Sequence, residues 1–146
     1  QAASAMDFDL DLAIKQDNDN PVYYVQYAHA RICSILKKLE SEGVVYGGEE
    51  SWHGQYTFAE PAELELIRML EAFPAEIVLS AQKYDPARIN HYVTALAAAF
   101  HKFYNTCRLL GEQPATLQAR LALCLGVKAV IYNVLTMFKI TVPEKM

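Results

Sequence analysis

Five of the six prolines in this chain stand where a helix would begin, and no other feature restricts the possible fold as tightly. They occur as Asn20-Pro21, Glu60-Pro61, Phe73-Pro74, Asp85-Pro86 and Gln113-Pro114, each followed by apolar residues at helical spacing. Proline has no backbone N–H, so it is tolerated at the first helical position, where that group would lack an intrahelical partner. Asp85 adds a carboxylate able to cap the amides that follow it. The spacing predicts helices over Pro21–Glu42, Pro61–Ala72, Pro74–Lys83, Pro86–Leu110 and Pro114–Ile140, with the second and third meeting at Phe73-Pro74 without a loop. A shorter helix is predicted at Asp9–Gln16, although the alternation in DFDLDLA fits a strand equally well. The last proline, Pro143, must turn the tail Thr141–Met146 away from the final helix.

The helical patterns carry apolar stripes. Val22, Val25, Ala28, Ile32, Ile35 and Leu39 form one, Ile89, Val93, Leu96, Ala97, Phe100 and Phe103 a second, and Leu117, Leu121, Cys124, Leu125, Val130, Val134 and Leu135 a third. Gly43 and Gly111 stand where the first long helix and the Pro86 helix should stop. Between Gly43 and Ala59 lies an irregular loop rich in Gly, Tyr and Glu that holds the single Trp52. Long helices with short connections imply an all-α antiparallel bundle, and 146 residues with 53% apolar content suffice for one well-buried core. There is no internal repeat and no low-complexity segment.

The formal charge of −4 is unevenly distributed. Residues 1–20 carry five aspartates against Lys15, which leaves twelve acids and twelve bases in the remainder. A neutral body does not demand nucleic acid and does not exclude it; such a body would bind RNA through stacking and shape more than through dense phosphate neutralisation. Cys33, Cys107 and Cys124 are far apart, none in a CxxC pair, and read as reduced, buried thiols of a cytosolic protein. No run approaches the roughly 18 uncharged apolar residues of a membrane span, so a soluble protein is expected. The opening QAASAMDFDLDLA has no signal segment and reads like the interior of a longer protein.

The first long helix places Tyr24, Tyr27 and Arg31 at i, i+3 and i+7, on one face. Two aromatic planes and a guanidinium suit a single-stranded RNA, whose bases stack on such rings. Tyrosines at this spacing also serve as core residues with hydroxyls at the surface, and an arginine beside an apolar stripe commonly snorkels. A second cluster, FHKFYNTCRLL at residues 100–110, sets Tyr104 and Arg108 one turn apart with His101 and Asn105 beside them. His29 and Cys33, at i and i+4, have the spacing of half a zinc site, but nothing recommends two further ligands among His91, His101 and Cys107. No Ser/His/Asp constellation, Gly-rich phosphate loop or HExxH helix is present, and Glu49-Glu50 reads as a solvated loop pair. Neither a catalytic residue nor a metal site is expected.

Three segments, DNPVYYVQYAHARI at Asp19–Ile32, DPARINHYVTALAAAFHKFYNTCRLL at Asp85–Leu110 and RLALCLGVKAVIYNVLTMFKITVPEKM at Arg120–Met146, give the chain a resemblance. It resembles the C-terminal part of bacterial arginyl-tRNA synthetases, including their helical DALR-type anticodon-binding domain. The resemblance implies that residues 1–18 are the tail of a Rossmann-type class I catalytic region and 19–146 the anticodon-binding bundle. The whole enzyme would be an arginine–tRNA ligase of the cytoplasm that uses ATP with Mg. Its ATP-binding signatures, and the N-terminal domain that such enzymes use on the tRNA elbow, would lie outside this chain, which needs no cofactor of its own.

Carried over by position, the resemblance assigns the anticodon loop, with its unstacked middle cytosine, to Tyr27, Arg31, Tyr104 and Met146. Tyr24, Asn105 and Arg108 are neighbours of that set, and His29 is structural. The expected partners are an arginine tRNA here and arginine and ATP elsewhere, with no membrane and a monomeric state. Two departures from the family pattern bear on the C-terminal contact. Lys145 precedes the final methionine where arginine is common, and Phe138-Lys139 replaces the more usual leucine-glycine. The alternatives from other classes are a helical protein-interaction or dimerisation module and a bundle that binds a cofactor or metal.

Overall fold

Four of the helices begin at or immediately after a proline. In the computed structural model, which describes residues 9–17 and 19–146, a short α1 (Leu10–Ile14) precedes α2 (Pro21–Ser41), α3 (Pro61–Lys83), α4 (Ala87–Thr106) and α5 (Pro114–Met137). A 3-10 turn at Glu49–Ser51 interrupts the long loop, and no strand occurs among the described residues. Asn20 explains the start of α2: its Oδ1 accepts the N–H groups of Val22 at 3.0 Å and Tyr23 at 3.4 Å. Asp85 accepts the Ala87 N–H at 3.2 Å, as its position before Pro86 implied.

Three helices end in the same pair of bonds. After α2, Val44 N–H reaches the Leu39 carbonyl and Gly43 N–H the Glu40 carbonyl, both at 2.9 Å, with Gly43 left-handed at φ 80°. After α3 and α5 the left-handed position falls on Tyr84 (φ 51°) and Lys139 (φ 57°), where a side chain is strained. The Phe138-Lys139 departure thus has a physical meaning: Lys139 occupies a conformation suited to glycine and stops α5 at Met137, short of the expected Ile140.

Other expectations need correction. α3 is a single helix that runs through Pro74, not two helices meeting there, because the neighbouring helices hold both halves in line. α4 stops at Thr106 instead of Leu110, since Cys107 turns to extended backbone (φ −106°, ψ 105°). Val22 is 43% exposed and leaves the inner stripe of α2, while Val25, Ala28, Ile32 and Leu39 are buried as expected.

α5 packs against α2, α3 and α4, which explains why it is apolar around most of its circumference. By length and composition it could cross a membrane, but half of its most apolar stretch is buried inside the bundle. Gly126 lets α5 approach α3 closely: a Cβ there would meet Leu70 Cδ1 at 3.0 Å. The three cysteines are buried and unpaired, and burial pushes the Cys124 thiol up to about 12.

One buried polar network ties the long loop to the bundle. Glu63, fully buried on α3, accepts from Arg120 Nε on α5 at 2.7 Å and from the Tyr56 hydroxyl at 2.6 Å. Its other oxygen accepts the N–H groups of Ala59 and Glu60, each at 3.3 Å. Arg120 Nη1 donates to the Arg108 carbonyl at 2.6 Å, which fixes the backbone just beyond α4.

Candidate nucleic-acid interface

α2 and α4 lie side by side, and their facing edges bring four of the expected site residues together. Arg31 Nη1 donates to the Tyr27 hydroxyl at 2.7 Å, and its guanidinium carbon stands 4.5 Å from the centre of the Tyr104 ring. Tyr27 stacks on His101 with centroids 5.6 Å apart and planes 28° from parallel. Tyr24 meets the same imidazole at 5.0 Å. His101 therefore sits between the two tyrosines of α2 and holds them against α4. Burial, and then the charge of Arg31, keeps the imidazole below its ordinary pKa, so it stays neutral near pH 7. Burial also raises the Tyr24 hydroxyl.

All four of these aromatic and cationic side chains are half-buried, so each is supported from behind and open in front. Neither purely core tyrosines nor a freely snorkelling arginine describes them. Among the described residues no carboxylate lies within ion-pair distance of Arg31. A guanidinium oriented by a tyrosine and a ring, and not neutralised by an acid, can offer its remaining N–H groups to a base edge or a phosphate.

Asn105 is exposed on the last turn of α4, and Arg108 is exposed just beyond the end of that helix. Met146 is reached by a different route. The tail after α5 runs along α2: Gln26 Nε2 donates to the Thr141 carbonyl at 2.8 Å, His29 Nδ1 to the Pro143 carbonyl at 2.9 Å, and Lys37 pairs with Glu144 at 3.0 Å. Positions 26, 29 and 37 share a side of α2 turned away from Tyr27 and Arg31 by the 100° step of the helix. Met146, 47% exposed, thus stands at the end of a strap pinned to the same helix. His29 spends its Nδ1 proton on that strap, in keeping with a structural role. Among the described residues no group of three His, Cys, Asp or Glu side chains is placed to hold a metal ion.

Sequence reasoning did not find the part played by His101, which only the packing of α4 on α2 reveals. It also missed Lys38, which lines a cleft of ≈ 270 Å³ together with Tyr104, Arg108 and Leu109. A larger depression, ≈ 790 Å³, lies elsewhere, among Val22, Val93, Ala98 and Phe138, and is mostly apolar.

Residues 25–146 match the DALR anticodon binding domain. The chain belongs to that family. Similar curated proteins are the arginine–tRNA ligases of Ruminiclostridium cellulolyticum, 49% identical over 99% of this chain and 26% of that protein, and of Acetivibrio thermocellus, 48% identical over the same shares. The chain spans about a quarter of the length of these relatives. Among solved structures, a putative arginyl-tRNA synthetase from Campylobacter jejuni superposes with a TM-score of 0.83 at 26% identity, covering all of this chain and 31% of that one. Thermus thermophilus arginyl-tRNA synthetase gives a TM-score of 0.80 at 28% identity, covering 97% of this chain and 24% of that one. The all-α bundle is thus the DALR fold, and membership of this family favours the synthetase reading over an interaction module.

Proposed function

We propose that this chain is the anticodon-reading part of an arginine–tRNA ligase. The observation that carries the reading is the assembly of Tyr27, Arg31 and Tyr104 into one supported, acid-free cluster on the facing edges of α2 and α4. Stacking on the tyrosines would hold an unstacked base, at about 1–3 kcal/mol per base. Arg31 would read its edge or grip its phosphate, with Tyr24 supporting and Asn105 extending the contact. Met146, at the end of the pinned strap, would close the site from the other side of α2.

Binding energy gained there would orient the acceptor end of the tRNA in a catalytic region built from other parts of the protein, where ATP, with magnesium, and arginine would bind. Residues 1–18 would be the end of that region and 19–146 the reading domain. The enzyme would work in the cytoplasm as a monomer.

The test is a titration of the chain, followed by fluorescence anisotropy, with an arginine tRNA transcript and with one whose middle anticodon cytosine is replaced. Tighter binding to the cytosine form is expected. Tyr27→Ala should weaken that binding on the order of 5- to 150-fold, the equivalent of one lost stack, with an unchanged circular dichroism spectrum. Equal binding of the two transcripts, or a folded Tyr27→Ala variant of undiminished affinity, overturns the reading.

A further inference from the structure

The cleft beside Tyr104 is a separate place from the cluster at Tyr27. It opens between the C-terminal turns of α2 and α4, with Leu39 and Leu109 as an apolar floor, Tyr104 as a wall, and Lys38 and Arg108 at its rim. Its lining holds two cations and no acid. Neither Lys38 nor Arg108 lies within 4.0 Å of a carboxylate among the described residues. The backbone from which the exposed Arg108 side chain extends is fixed, because its carbonyl accepts from the buried Arg120 at 2.6 Å.

Arg31 and Lys38 are two helical turns apart, about 10 Å along α2, too far for one phosphate to bridge. Tyr104 stands between the two places, under the Arg31 guanidinium on one side and lining the cleft on the other. A strand whose base is held at Tyr27 and Arg31 would carry its neighbouring unit across Tyr104 into this cleft.

We propose that the cleft is a second nucleotide subsite, in which Lys38 and Arg108 bind the phosphate of the unit adjoining the base at Tyr27 while its ribose and base lie against Tyr104 and Leu109. The proposal rests on the anticodon-reading function and adds to it a contact that is indifferent to base identity. An apolar floor with a cationic rim matches a nucleotide, which is apolar on its base faces and anionic at its phosphate.

The experiment measures binding of the chain to an arginine anticodon stem–loop RNA over a series of salt concentrations. Each single-strand phosphate contact contributes about 0.7 to the slope of log K against log salt. The double variant Lys38→Gln with Arg108→Gln should therefore flatten the slope by about 1.4 and keep the ratio of affinities for cytosine and its replacement. Lys38→Arg with Arg108→Lys should restore the steeper slope, which a merely structural effect of the glutamines would not require.

If the double variant keeps the original slope while Tyr27→Ala still destroys preference, the subsite falls and the anticodon reading stands. If the double variant loses the cytosine ratio as well, the cleft is part of the base site and the proposal of a distinct subsite is wrong. If the unsubstituted chain shows no preference, the anticodon reading falls and the subsite with it.

Discussion

Tyr84 offers an unusually clean test of backbone strain, since it is 94% exposed and sits in the left-handed region at φ 51°. It closes α3 through two bonds, its own N–H to the Ala81 carbonyl at 3.2 Å and that of Asp85 to the Ser80 carbonyl at 3.0 Å. An L-residue in this conformation costs about 1–2 kcal/mol. Tyr84→Gly removes that strain, but glycine brings roughly 0.5–1 kcal/mol of additional chain entropy to the unfolded state. The side chain has almost no packing to lose, so the net gain should be about 0.5–1 kcal/mol. In urea this moves the midpoint upward by roughly 0.3–0.5 M at a slope of about 2 kcal/mol/M, with the slope itself unchanged. Tyr84→Ala is the control: it deletes the ring and keeps the strain, and should stay within about 0.5 kcal/mol of the parent. Lys139→Gly, at φ 57° after α5, should repeat the gain. If Tyr84→Gly is no more stable than Tyr84→Ala, the strain argument is refuted.

The buried pair gives the opposite sign. Glu63→Ala leaves the buried Arg120 guanidinium with Glu112, at 3.6 Å, as its one carboxylate partner among the described residues, and should cost about 3–5 kcal/mol by urea titration; a loss under 1 kcal/mol would show that water reaches Arg120 freely. Alkali supplies the pH dependence. Burial pushes the Tyr56 and Tyr92 hydroxyls from 10.0 up to about 12, with Glu63 adding to the effect at Tyr56. Their folded-state pKa values are raised, so their contribution is complete below pH 10 and disappears as the pH climbs towards 12. Midpoints measured from pH 9 upward should therefore decline above pH 10, and Tyr56→Phe with Tyr92→Phe should decline less; equal declines would locate the cause elsewhere.

The proline placement made the helical starts legible because a missing N–H is a local property, decided by sequence neighbours alone. Helix ends were harder. Gly43 announced its left-handed turn, whereas Tyr84 and Lys139 adopt the same turn against their preference, under the constraint of the packed helices before them. Tyr24, Tyr27 and Arg31 were legible as one face because helical spacing is fixed by geometry. Helical spacing did not bring in their partners: Tyr104 joined them only through the resemblance, and His101 not at all, since the alignment of both with that face depends on how α4 lies on α2, a tertiary fact without a short-range signal. Glu63 had one available clue, its place three residues after Glu60 at a helix start, but its link to Arg120 spans 57 positions. The exposure of Val22 shows the limit of periodicity at a helix terminus, where the first turn projects beyond the core.

Pro74 gives α3 two halves of unequal persistence. The proline ring cannot donate to the Leu70 carbonyl, so the ladder of the helix has a missing rung in its middle. Before it lie Ala62, Glu63 and Leu66, all buried, while Ser80 alone is buried beyond it. The later half is held from outside by Arg88 paired with Glu76 at 2.8 Å, whereas the Tyr92 hydroxyl on the Met69 carbonyl at 2.7 Å secures the earlier half. Two continuous half-helices then become two units of local opening, with amide exchange faster from Ala75 to Lys83 than from Leu64 to Phe73. The boundary at Phe73-Pro74, absent from the static geometry, would reappear in time, as the seam along which this helix comes apart first.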